Sequence, residues 1–210
     1  MSKKEAHISA LQTYLPEGTY EPVLQYLQQF AVHLTVARER KSILGDYRHK
    51  GYGKNHRISV NGNLNPYAFL ITLLHELAHL LTFEKYGHKV SAHGREWKAV
   101  FSQLLAQFLQ HKVFPADIAD SLLSSLHNPA ASSCADEHLL RVLRRYDKDN
   151  GLVFVENIPL GHLFKTHDGR VFIRGEKMRK RYRCTEAGTS RVYLFSAVYE
   201  VQWMKPTTEG

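Results

Sequence analysis

Cysteine is almost missing from this chain of 210 residues, which has two, Cys134 and Cys184, far apart and in no C-x-x-C pair. That excludes a disulfide framework and a metal site built on thiolates. No apolar run has the length and purity of a membrane span; the strongest, residues 67–81, is interrupted by its own polar side chains. Residues 1–15 open Met-Ser-Lys-Lys-Glu and contain no signal-peptide core, so the expected location is cytoplasmic, with no membrane partner. No internal repeat is found. An apolar content of 43% excludes wholesale disorder.

Acidic residues are in the minority, and the net charge is +8. Residues 38–57 carry a net +5 and residues 170–183 a net +6, which leaves −3 for everything else. Positive charge gathered in two places is what an acidic polymer as partner requires, and nucleic acid is the expected one. The alternative is a solvated surface that only keeps the protein soluble.

The most informative stretch is Leu73-Leu74-His75-Glu76-Leu77-Ala78-His79-Leu80-Leu81, an H-E-x-x-H motif. Two histidines four apart on a helix leave the same face one turn apart, at the separation a tetrahedral Zn²⁺ accepts. Glu76 then lies beside the metal, placed to take a proton from an activated water. Asn65-Pro66 supplies a cap and a first-turn proline, and Gly87 supplies a C-terminal stop. Between them the residues are almost all apolar, which predicts a helix buried on nearly every side. Two histidines and a glutamate buried there without partners would cost several kcal/mol, roughly, and a metal removes that cost.

Around this helix the patterns predict an α+β protein. An amphipathic helix is expected over residues 3–15 and another from Thr19 to Ala31. Three alternating segments, 33–40, 43–48 and 57–61, predict a small antiparallel sheet. After the metal helix, the apolar spacing of Trp97, Val100, Phe101, Leu104, Leu105 and Phe108 predicts a helix from about residue 95, and two more are expected over 115–126 and 137–146. From Leu152 on, six short alternating segments predict a small all-β unit of barrel type. The expected organisation is a metallopeptidase-like domain over 1–146 and a basic β module over 150–205.

A catalytic zinc needs a third protein ligand and an open position. In the short metzincin spacing, glycine and histidine would fall at positions occupied by Thr82 and Lys85, so that class is excluded. Glu84 is at the far end of the same helix, and Glu96 is in a first turn where the dipole already favours it. Of His88 and His93, His93 is preferred: Gly94 allows close backbone approach, and Trp97 anchors the next helix in the core.

H-E-x-x-H followed by His93-Gly94-Arg95-Glu96-Trp97 resembles the SprT-like family, which includes the Spartan DNA-dependent proteases. The likeness covers roughly residues 5–146, including the Gly-Asp-Tyr-Arg strand, and is specific at 75–79 and 93–97. It implies a zincin-like fold, Zn²⁺ held by His75, His79 and His93, and Glu76 as general base. It also implies protein substrates on or near DNA. Many such proteins end in a four-cysteine zinc ribbon; this chain keeps at most Cys184, so the C-terminal module departs from that pattern.

Within that module, Lys177, Arg179, Arg181 and Arg183 alternate with Met178, Tyr182 and Cys184. Read as one strand, they place four cations on one face about 7 Å apart, a spacing that tracks a phosphate backbone. The expected activity is a zinc-dependent endopeptidase acting as a monomer on protein substrates. Its rivals are a DNA-binding or scaffold protein with a structural or inactive metal, and a hydrolase of other bonds. Tyr47, Tyr52, Tyr86 and Arg48 stand open as oxyanion partners.

Overall fold

The computed structural model describes residues 8–40, 43–51, 55–130 and 136–206. The architecture is α+β, with five α-helices and two sheets among those residues. The chain divides into two compact units, Met1–Asp147 and Lys148–Gly210, each with its own core.

The first unit is assembled around helix α2 (Pro66–Tyr86), whose ends lie where the capping residues place them. Asn65 caps it: its Oδ1 accepts from the Ala68 amide at 2.9 Å, and Pro66 fills the first turn. Gly87, at φ +61°, closes the other end and donates its amide to the Phe83 carbonyl. The Asn65 amide group does a second job, donating to the Leu143 carbonyl at 3.0 Å and to Asp147 Oδ1 at 2.7 Å. The cap of α2 is thereby tied to helix α5 (Glu137–Leu143) and the residues just after it. By length and composition, Pro66–Tyr86 does reach the range of a membrane span, contrary to the sequence reading. Most of it is buried inside the unit, as a core helix is.

Helix α3 (Arg95–Gln110) packs on α2 through Trp97, Phe101, Leu104, Leu105 and Phe108, all buried. Helices α1 (Tyr20–Gln29) and α4 (Ala116–Ser125) add Val23, Leu27, Ile118 and Leu122 to the same core. The helix expected over 3–15 is a 3-10 turn over Ile8–Tyr14, with residues 1–7 outside the described set. A core contact holds it there: Tyr14 stacks on Phe69 at 5.4 Å.

The sheet covering α2 is mixed, a correction to the antiparallel expectation. Strands β1 (His33–Ala37), β2 (Gly45–Arg48) and β3 (Arg57–Asn61) lie in the order β1-β3-β2, with β1–β3 parallel and β2–β3 antiparallel. The reason lies in burial. β3 contributes Ile58, Val60 and Asn61 to the interior and takes the centre, which leaves the half-buried β1 and β2 as edges.

The second unit is one antiparallel sheet of six strands: β4 (Leu152–Phe154), β5 (Leu163–Lys165), β6 (Val171–Met178), β7 (Arg181–Glu186), β8 (Val192–Ser196) and β9 (Glu200–Met204). The order is β4-β9-β5-β6-β7-β8. No ladder joins β4 to β8 among the described residues, so the sheet stays open where a barrel was expected. Its core gathers Phe164, Phe172, Tyr182, Cys184 and Val201, with Phe195 meeting Phe172 edge-on at 4.9 Å. Cys184 is fully buried and its thiol is pushed up by burial, so it serves as packing. Cys134 lies outside the described residues.

Asn65→Ala removes the cap hydrogen bond and the two bonds to Leu143 and Asp147 together. Urea unfolding should show a loss of about 1–3 kcal/mol; a loss under a few tenths would mean that the cap carries no weight.

Candidate metal centre

The turn geometry of α2 puts His75 and His79 one above the other, and the short segment after Gly87 returns His93 to the same point. His79 Nε2 lies 3.2 Å from His75 Nε2, and His93 Nε2 lies 3.3 Å from His75 Nε2. Among the described residues, these three form the group that could hold a metal ion. A tetrahedral zinc with Zn–N bonds near 2.05 Å requires nitrogens about 3.3 Å apart, so the donor set fits. Its protonation fits as well. Burial, followed by the neighbouring histidines, lowers His75 to about 3 and His79 to about 4. Burial also lowers His93. All three are therefore neutral donors at pH 7.

Trp97 is the brace. It is fully buried, and its indole lies 4.7 Å from the rings of both His75 and His93. That is the anchoring expected of it from the sequence. Glu96 and Glu84 stay out of the cluster, as does His88, which sits against Phe83 and His49.

Glu76 projects from α2 into the same cleft and is 6% exposed. Burial, with help from Asp46, raises its carboxyl to about 8, and Arg40 opposes the shift. The cleft measures about 630 Å³ and has β2 and the preceding residues Ile43 and Leu44 on one wall. The segment 87–93 supplies most of the opposite wall.

β2 lies very close to α2. A Cβ on Gly45 would overlap Glu76 Oε1 and stand 2.8 Å from both Glu76 Cγ and Thr72 Cγ2. Glycine is therefore needed here for space. Upstream, Arg40 staples the approach to β2: it donates to Asn61 Oδ1 at 2.7 Å and Ser59 Oγ at 2.9 Å. Asn61 answers by donating to the carbonyls of Arg40 and Ile43, each at 3.0 Å.

Two residues further along β2, Tyr47 lies parallel to the His79 ring, with centroids 6.3 Å apart. Its hydroxyl is 2.9 Å from His56 Nδ1, and His56 Nε2 is 3.1 Å from Glu84 Oε1. Lys50, 3.0 Å from the same carboxylate, leads the causes that hold Glu84 below the usual carboxylate range. With Glu84 ionised, His56 donates from Nε2, so Nδ1 accepts the Tyr47 proton. Burial pushes the Tyr47 hydroxyl upward, which keeps it protonated. Of the four candidate oxyanion partners, Tyr47 lines the cleft. Arg48 instead pairs with Asp46, Tyr86 does not line it, and Tyr52 lies outside the described residues.

Gly45, Arg40, Asn61, His56 and Glu84 escaped the sequence reading as parts of the site. The glycine was visible only as part of the Gly-Asp-Tyr-Arg strand, Asn61 looked like a turn residue, and His56 gave no pattern. The four basic residues of 177–183 lie in the second unit and are not co-facial. Lys177 is the last residue but one of β6, Arg179 is in a turn, and Arg181 and Arg183 lie at the start of β7. The chain reverses at Arg179-Lys180, so the expected single strand is a hairpin.

With that geometry in place, comparison with known proteins is informative. The SprT-like family profile matches residues 16–119, a span that includes all three histidines and β1–β3. The chain belongs to the SprT-like family. Among curated SprT-like relatives, Protein SprT of Photorhabdus laumondii subsp. laumondii is 32% identical over 107 residues, 46% of this chain and 54% of that protein. Protein SprT of Vibrio parahaemolyticus serotype O3:K6 is 37% identical over 67 residues, 30% of this chain and 40% of that protein. The chain thus spans about half the length of the curated relatives it matches. No solved structure matches.

Gly45→Ala should destabilise the protein by about 1–3 kcal/mol through overpacking against Glu76, read as a lower urea midpoint; an unchanged midpoint would mean that β2 and α2 separate freely. A second expectation concerns pH in the metal-free protein. A carboxyl raised in the fold contributes fully below its unfolded value of 4.5 and loses that contribution as pH rises through 8. Glu76→Gln should therefore stabilise the metal-free chain at pH 9, on the order of 2 kcal/mol, with the gain fading toward pH 4.5. A pH-independent difference would contradict this.

Proposed function

We propose that this chain is a zinc-dependent endopeptidase, with His75, His79 and His93 as the metal ligands and Glu76 as the general base. The observation that carries the reading is the convergence of three neutral imidazoles beside a buried carboxyl, in a cleft walled by a sheet edge. A purely structural metal would not need that carboxyl, whose burial is costly.

When bound, zinc supplies Lewis acidity that acidifies water and polarises a carbonyl. The chain supplies the rest. β2 pairs with β3 on one side only, so its other edge can take an extended peptide as an added strand. Glu76 accepts a proton from the attacking water and returns it to the leaving amine, work for which a carboxyl poised above its ordinary range is suited. Tyr47 presents the hydroxyl on the cleft wall that turns from His56 toward the developing oxyanion. Support for a metallopeptidase role comes also from membership of the SprT-like family. The substrates we infer are proteins associated with DNA, on the strength of that resemblance and of the two basic clusters.

The test combines zinc content with cleavage of an unstructured protein such as casein, with and without DNA. Wild type should cleave when loaded with zinc, and Glu76→Gln should keep its zinc and lose activity about 10²–10⁴-fold. A zinc-loaded wild type that cleaves nothing under either condition would overturn the assignment.

A further inference from the structure

The tip of the β6–β7 hairpin is the densest collection of cations in the chain, and their arrangement is specific. Lys177 faces Tyr182 across the ladder and points to the core side, with its Nζ 5.8 Å from the Tyr182 ring. Met178 faces Arg181, so Arg181 and Arg183 occupy the opposite side. Arg179 and Lys180 form the turn itself. All five cations are exposed, and none is paired with a carboxylate among the described residues. Arg48, Arg145 and Arg170, by contrast, each hold an aspartate.

The backbone adds a second observation. Arg179 has φ +53°, a conformation in which two-residue hairpin turns ordinarily use Asn or Gly. Gly175 produces the bulge that re-aims the tip. Two residues, Gly175 and Glu176, oppose Arg183 alone, and a Cβ on Gly175 would collide with the Arg183 carbonyl.

Charge on two faces and at the apex narrows the partner. A flat surface or a single strand meets one face of a ribbon. A groove walled by two rows of phosphates meets both. The major groove of B-form DNA, about 12 Å wide, admits a β-ribbon, while the deep groove of A-form RNA does not. We propose that the 177–183 hairpin is a duplex-DNA contact that enters the groove, with Arg181 and Arg183 against one phosphate row, Lys177 against the other, and Arg179 and Lys180 at the tip. This deepens the inference of DNA-associated substrates by naming the surface and the form of DNA. It is tested by binding, so it stands or falls apart from peptide cleavage.

The experiment is fluorescence anisotropy of the full chain with a 20-base-pair DNA duplex, the matching single strand, duplex RNA and anionic phospholipid vesicles, over a salt series. Duplex DNA should bind at least tenfold more tightly than the single strand or duplex RNA, with a log–log salt slope of about −4. Arg179→Glu/Arg181→Glu/Arg183→Glu should lose at least 30-fold and flatten the slope, with an unchanged melting curve as the folding check. Lys89→Glu/Lys112→Glu/Lys148→Glu, the same change of charge on exposed lysines elsewhere, should lose less than threefold. Lys177→Glu alone should weaken binding at least threefold, since it guards the second wall. Equal or tighter binding of the single strand, binding to vesicles in preference to DNA, or equal losses in the hairpin and control variants would each overturn the proposal.

Discussion

Placing His75, Glu76 and His79 on a helix whose other faces are buried is the constraint on which the rest of the first unit depends. An apolar helix can be packed from every side, but an imidazole pair and a carboxyl inside it must be given partners or be expensive. The chain meets this by bringing back a third imidazole and leaving a cleft, and the neighbouring elements are shaped by that solution. Trp97, carried by α3, gives the rings of His75 and His93 a rigid wall. Gly45 is bare because Glu76 occupies the volume a side chain would take.

A second tier of contacts fixes what the first tier leaves free. The His56–Glu84–Lys50 chain holds the Tyr47 hydroxyl while the Tyr47 ring lies flat along His79. Arg40 and Asn61 lock the residues that lead into β2. Both sets link α2 or β3 to the edge strand, so the cleft wall is held from both ends. The residues of this second tier are far apart in sequence.

That distance explains what could be read beforehand. The metal helix was legible to its ends because its capping residues, apolar run and four-residue histidine spacing are local signals. His93 was legible through Gly94 and Trp97. β3 was legible in full, but its central place was not, because strand order depends on which strand buries most, and β1 and β3 are separated by β2 in sequence. The basic stretch failed for a related reason. Its alternation fits a strand, and the reversal at Arg179-Lys180 has none of the usual turn residues to announce it. Six strands of similar length suggested closure, but whether the first and last strands meet is a property of the whole sheet.

The edge strand β2 is only four residues long, with Asp46 and Arg48 pairing on its outer side. Short, charged edges resist unwanted strand pairing between molecules. The same brevity limits what the cleft can ask of a peptide laid against it. Four residues read main-chain hydrogen bonds over a few positions and offer little surface on which to recognise a sequence. On the proposed reading, selection then falls on whether a stretch of polypeptide can be drawn out straight. Such a protein discriminates by the local foldedness of its target, and where the target is held becomes the main source of its selectivity.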